Sequence, residues 1–349
     1  MSLMSMGGTP MLLGPQTRND AFGDPLTGRM PVLRRARTLA LRRARRISWT
    51  NTARKESMAI KYTMQGLLIY VTMATYLAAF AATVAGRRRP GQRLFGAGFL
   101  LAVVAYLYRW YDSGHVPLQN LFEVFLFLGA ACYPIWWFCR RTLRIDGAWA
   151  DMLIGFIVLF PAGFVFHAQT MQLPPALQSW LFVPHVAVYM LSYVFMAKAM
   201  FQAFEELLTT PKVGRTGLGS PCGTAALGCD GKDTPEGGGA TYLGSPLPPE
   251  QATYELIAIG FPLLTLGLVL GSWWGKLAWG DYWGWDPKEL WSLASWLVYL
   301  GYFHWRYMFG KRRPRLNSLW AILGMTAIII TLLWVNLSRL FPGLHSYAT

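Results

Sequence analysis

Long apolar runs separated by short charged blocks organise this chain. Runs of about eighteen residues or more, the length that crosses a hydrocarbon core, lie at roughly 64 to 84, 94 to 111, 118 to 138, 150 to 170, 181 to 207, 252 to 274, 289 to 309 and 318 to 338. They predict eight helices. No long alternation of apolar and polar positions and no series of strands and turns is present, which argues against a transmembrane barrel. The expected fold class is therefore an all-α polytopic membrane protein with about eight transmembrane helices and an outward-facing tryptophan-rich loop. Composition agrees, with 54% of the 349 residues hydrophobic and 14% charged.

Lysine and arginine set the orientation. The loops after the first, third, fifth and seventh runs hold fourteen: Arg87, Arg88, Arg89 and Arg93; Arg140, Arg141 and Arg144; Lys212, Arg215 and Lys232; and Lys311, Arg312, Arg313 and Arg315. The other side holds four, Arg109, Lys276, Lys288 and Arg339. The fourteen are expected on the cytoplasmic side. The tryptophan loop, the 112 to 117 turn, the 171 to 184 loop and the C-terminus are then expected outside. The formal net charge of +15 reflects this topology and a basic N-terminal arm, and no nucleic-acid partner is inferred from it.

The domain reading follows the same pattern: a basic arm over 1 to 57, helices one to five over 58 to 208, a linker over 209 to 251, and helices six to eight over 252 to 349. Ten arginines in the arm conflict with an N-terminus outside. A targeting peptide, a disordered arm and a true start at Met58 each resolve the conflict, and the start at Met58 is the preferred reading. The Gly, Pro, Ser and Thr-rich linker is expected to be disordered. Its Cys222 and Cys229 lack the close spacing of a zinc site and are read as reduced thiols. Cys132 and Cys139, two helical turns apart, are read as packing residues.

Within the apolar pattern one stretch is unusual. Residues 273 to 296 hold seven of the sixteen tryptophans, threaded with Gly275, Gly280 and Gly284. Each indole offers a rigid apolar face and one N–H donor, so the cluster suits a large flat aromatic ligand; an interfacial aromatic belt is the alternative. Asp286-Pro287-Lys288-Glu289 carries the signature of a capping box with proline at the first helical position. A helix is expected from about Pro287, with Asp286 read first as its cap.

Five histidines supply the candidate metal chemistry. His185 and His345 arrive from separate helix ends on the tryptophan side, where two imidazoles can serve as axial ligands to haem iron. His115 lies in the first outer turn, and His167 closes helix four. His304 stands seventeen residues after Pro287, about 25 Å along a helix, and so belongs to a different depth.

The segment WGDYWGWDPKELWSLASWLVYLGYFHWR resembles the WWD segment of haem-handling proteins. Together with SGHVPLQNLFEV, PALQSWLFVPHV and GLHSYAT, in this order, it makes the chain from Met58 onward similar to the CcsA/ResC-type proteins of System II cytochrome c biogenesis. That resemblance implies haem b as the bound cofactor and His185 and His345 as its axial ligands at an outer site. The implied platform is Trp273, Trp274, Trp279, Trp283, Trp285, Asp286 and Trp291. His304 is implied as a ligand at an inner site, and His115 matches a family position for which helix-turn packing is the preferred role.

The implied partners are a CcsB/ResB-type membrane subunit, apocytochrome c with its CXXCH segment, thiol-reducing proteins that act on the apocytochrome, and membrane lipid. The implied setting is the bacterial cytoplasmic membrane, with a thylakoid membrane as alternative. The implied mechanism is haem delivery followed by thioether formation, in which the chain contributes orientation and control of iron oxidation state. No side chain need act as a nucleophile, so whether this subunit alone is an enzyme, a haem lyase, stays open. A haem exporter or chaperone without ligation activity and a System I-type haem-transfer protein are the rival readings.

Overall fold

The computed structural model describes residues 63–166, 174–208 and 247–334. The basic arm, most of the linker, Cys222, Cys229, His167 and His345 lie outside the described residues. Eight α-helices are present among those described: α1 Met64–Val84, α2 Arg88–Ser113, α3 Leu121–Phe138, α4 Ala148–Phe164, α5 Phe182–Leu208, α6 Pro249–Trp279, α7 Pro287–Phe309 and α8 Pro314–Ile329. Single π-helical turns extend α3 over Cys139–Leu143 and α8 over Ile330–Trp334. The protein is an all-α polytopic membrane protein. Six of the helices are long and apolar enough to cross a membrane; α4 is apolar but shorter, and α7 is not among the six.

Local chemistry accounts for the helix ends. Thr63 accepts from the Gly66 N–H at the start of α1, and Asn120 accepts from the Glu123 N–H at the start of α3. The expected box opens α7: Asp286 caps it while Glu289 Oε2 accepts from the Asp286 N–H at 3.1 Å. Gly280 ends α6 at φ +93°, a left-handed conformation that glycine adopts without a Cβ clash. Several bounds differ from those expected. Helix α2 takes in Arg88, Arg89 and Arg93, because long cationic side chains can extend to the membrane surface while their backbone stays helical. Helix α6 begins at Pro249, three residues inside the expected linker, since proline suits a first helical turn.

Helices α1 to α4 pack as one group, and α5, α6 and α8 as a second, with α7 laid mainly on α8. Helix α5 joins the groups through α3 and α4. Small residues allow the close approaches. The Tyr76 ring fills the space left by Gly98 and Gly155 and donates its O–H to the Gly129 carbonyl at 3.0 Å.

Buried charge also joins the helices. Arg109 Nε and Nη2 both donate to Glu123 Oε1, at 3.0 and 2.8 Å, linking α2 to α3. Lys198 of α5 pairs with Asp151 of α4 and donates to the Asp146 carbonyl at 2.7 Å. Glu250 of α6 accepts from Arg306 of α7 at 2.8 Å and from Asn317 of α8 at 2.9 Å. Arg109, inside the expected run 94 to 111 and counted with the outer cations, lies in the last turns of α2 with 2% of its side chain exposed, because Glu123 offers it a charge partner out of water.

Candidate functional site

The tryptophan segment forms the last turns of α6, the connecting loop and the first turns of α7. Trp274 is the most buried of its indoles described here, with 1% exposure. It donates Nε1–H to the Ala176 carbonyl at 2.9 Å, packs against Leu177, Leu181 and Phe182, and meets Trp279 edge-on at 4.7 Å. That bond fixes the short 3-10 turn Pro175–Gln178, which leads the chain into α5.

His185 stands in the first turn of α5. Its Nδ1 lies 2.8 Å from the Gly267 carbonyl oxygen of α6, and its ring stacks on Trp274 at 5.9 Å and 14°. A carbonyl oxygen only accepts, so Nδ1 carries a proton in this contact. A backbone carbonyl is a partner typical of a metal-binding imidazole. Gly271 makes room for the ring, since a Cβ there would lie 2.4 Å from His185 Cε1.

His185, Trp274, Trp279 and Trp283 line one cavity of about 170 Å³, together with Tyr189, Lys288 and residues from the head of α3. A second cavity, of about 580 Å³ and walled in part by Trp273 and Trp296, shares Leu268, Ser272, Tyr282 and Trp283 with the first. The indole N–H of Trp283 is buried and has no acceptor among the described residues.

The other sequence-predicted residues are distributed differently. Asp286 serves as the cap, accepting from the Lys288 N–H at 2.9 Å. Trp285 is 67% exposed and lines neither cavity; its φ of +56° is left-handed, a strained setting for a non-glycine residue. Trp291 lines neither cavity. His115 directs Nδ1 to the Val116 carbonyl at 3.1 Å, within its own turn. His304 is exposed on α7, which runs unbroken from Pro287 past it. Sequence reasoning passed over Lys288, Gln119 and Asn120 as cavity residues. Only the capping signature hinted that Lys288 would be carried into the site.

Fold and site together define a multi-pass helical membrane protein with an aromatic cavity walled by its tryptophan segment. The chain belongs to the cytochrome c assembly protein family, whose family model matches residues 93–342, and within it to the CcsA type. Cytochrome c biogenesis protein CcsA of Synechococcus sp. strain RCC307 is 35% identical over 274 residues, covering 73% of this chain and 84% of that protein. The CcsA protein of Parasynechococcus marenigrum strain WH8102 is 32% identical over 301 residues, covering 81% and 94%. Among solved structures, cytochrome c haem lyase CcmF is similar in fold, with a TM-score of 0.52 at 18% identity. The match covers 78% of this chain and 47% of that one, so this chain spans about half the length of CcmF.

Proposed function

We propose that this cytochrome c biogenesis protein holds haem b in the cavity beside His185 and, with a CcsB/ResB-type subunit, supports its thioether attachment to the CXXCH segment of apocytochrome c. The observation that carries the reading is the His185 Nδ1 contact with the Gly267 carbonyl at 2.8 Å, made on the wall of a tryptophan-lined cavity. A ring nitrogen held by a backbone carbonyl in this way is the supporting contact typical of an iron-binding imidazole.

Haem is the substrate here and supplies the iron and two vinyl groups to which thiols add. The chain supplies the position. His185 gives one axial bond and His345 the other, while Trp279 and Trp283 present apolar faces that exclude water and fix the plane and Trp274 backs the His185 ring. His304 gives a ligand to an inner site reached before the outer one. The excess of arginine and lysine in alternate loops supports a reading in which the tryptophan segment faces outward, the preferred setting being the periplasmic face of a bacterial membrane. There, thiol-reducing proteins keep the apocytochrome cysteines ready, and the chain acts as a haem lyase subunit by orienting the reactants.

Detergent-purified protein tests this directly. The expected result is a Soret band with sharp reduced α and β peaks, diminished in His185→Ala. A featureless visible region in the wild type after haem addition would overturn the reading.

A further inference from the structure

Helices α2 and α3 gather positive charge at the end away from the tryptophan segment. Leu121, at the head of α3, lines the cavity beside His185, and Arg140 stands nineteen positions after it, about 28 Å along the helix. The two helices touch just before that end: Phe95 meets Tyr133 at 5.2 Å and Trp136 at 5.7 Å, and Gly96 leaves room for the Tyr133 ring. Arg89 precedes Gly96 by seven residues and Arg140 follows Tyr133 by seven. The arginines of both helices therefore converge two turns beyond the contact. By the helical step of about 100° per residue, Arg89 and Arg93 of α2 and Trp137 and Arg141 of α3 fall on the same flank of it.

Arg88, Arg89, Arg93, Arg140 and Arg141 are all exposed there. Among the described residues one acid pairs with any of them, Asp146, which lies 4.0 Å from Arg140 and already accepts from Trp136 Nε1 at 3.0 Å. The charge is left largely uncompensated. All five are arginine, whose planar fork fits a phosphate better than the point charge of lysine does. Trp137 beside them is exposed as well, and an indole suits the boundary between headgroups and hydrocarbon. Clusters of four or more cations at the ends of membrane helices attract anionic lipid.

We propose that Arg89, Arg93 and Arg141, with Trp137, form a binding site for an anionic phospholipid at the far ends of α2 and α3. The arginines take the headgroup phosphate and Trp137 lies along an acyl chain. Cations and an exposed indole on one flank of two membrane helices match a molecule that has both a phosphate and a hydrocarbon part. Arg140 has a different part: held by Asp146 and 5.4 Å over the Trp136 ring, it braces the turn. A bound phosphate would screen α2 from α3, whose like charges otherwise repel where the helices end. Arg312, Arg313 and Arg315 at the turn from α7 to α8 are exposed too, but they follow one another along a single turn. They separate a site from general attraction of basic loops to a charged surface.

The test adds phosphatidylglycerol or phosphatidylcholine of equal chain length to delipidated full-length protein in detergent and counts bound lipid by native mass spectrometry. The wild type is expected to retain phosphatidylglycerol about ten-fold or more better, since one cation near a lipid phosphate is worth about five-fold. Replacing Arg89, Arg93 and Arg141 together by glutamine should remove most of that preference and leave phosphatidylcholine retention unchanged. The same three replaced by lysine, which keeps the charge and loses the fork, should hold an intermediate preference. Glutamine at Arg312, Arg313 and Arg315 should leave the wild-type value. Equal retention of the two lipids by the wild type, or equal losses in the two glutamine triples, would overturn the site. So would displacement of phosphatidylglycerol by glycerol 3-phosphate at equal concentration, which would mark a site for soluble phosphate.

Discussion

His185 Nδ1 lies 2.8 Å from the carbonyl oxygen of Gly267, so a side chain at the start of α5 is oriented by the backbone of α6. The space for that ring is set by Gly271, one turn further along α6. Gly271→Ala would place a Cβ 2.4 Å from His185 Cε1, and the ring, stacked on Trp274, has little room to yield. The expected cost of this overpacking is about 1 to 3 kcal/mol. The variant should insert normally but show weakened haem binding and an altered reduced spectrum. His185→Ala should abolish cytochrome c maturation, with partial recovery on added imidazole. Maturation at the wild-type level in His185→Ala would remove the axial assignment.

The indoles separate into structural and ligand-facing groups. Trp274 is 1% exposed and bonded to Ala176, so Trp274→Ala should cost about 3 to 5 kcal/mol of stability and lower the amount of protein. Trp279→Ala and Trp283→Ala should instead lower haem per protein, by about 1 kcal/mol or more of affinity each. Trp285, exposed and away from both cavities, should show the smallest change. Haem stoichiometry measured against protein level distinguishes these outcomes.

The Arg109–Glu123 pair bears on the site at one remove. Glu123 Oε2 accepts from the Gln119 N–H at 2.9 Å, so the pair also fixes the turn that brings Gln119 and Asn120 to the cavity. Arg109→Met strands a buried carboxylate and should cost about 3 to 5 kcal/mol. Adding Glu123→Met should recover part of that loss. The fraction of monodisperse protein left after graded heating measures both, and equal losses in the single and double variants would show that the charges do not act as a pair.

His304 sits seventeen positions after Pro287 in one continuous helix, about 25 Å along its axis. A single iron cannot be shared across that length by His304 and His185. With the CcsB-type subunit co-expressed, His304→Ala should therefore show little haem at the cavity site, since supply fails before it. His185→Ala should retain haem at the inner position. Full loading of the cavity in His304→Ala would leave His304 as an exposed helix residue without a role in supply.

Features that depend on neighbours in the chain were legible, and those that depend on distant partners were not. The cap at Asp286 was readable because both its bonds close within three residues. The eight helices were readable because hydropathy over a span is itself a local sum. The burial of Arg109 was not readable because its partner is fourteen residues away across a turn. Lys288 was counted only as an outer-side cation, although the cap that was recognised carries it to the cavity. The orientation of His185 depends on a carbonyl eighty-two positions later, which no spacing rule anticipates.

The close packing of α5 on α6 has a consequence for how the chain is assembled. These helices meet through the Ser192 hydroxyl on the Gly260 carbonyl at 2.8 Å and the Tyr189 ring against Gly267, as well as through His185. Their association is therefore written into their faces. Two polypeptides produced separately, one ending and the other beginning between 209 and 246, should find each other within the bilayer. Co-purification of the two pieces with haem bound would show that the site is reconstituted by helix recognition alone.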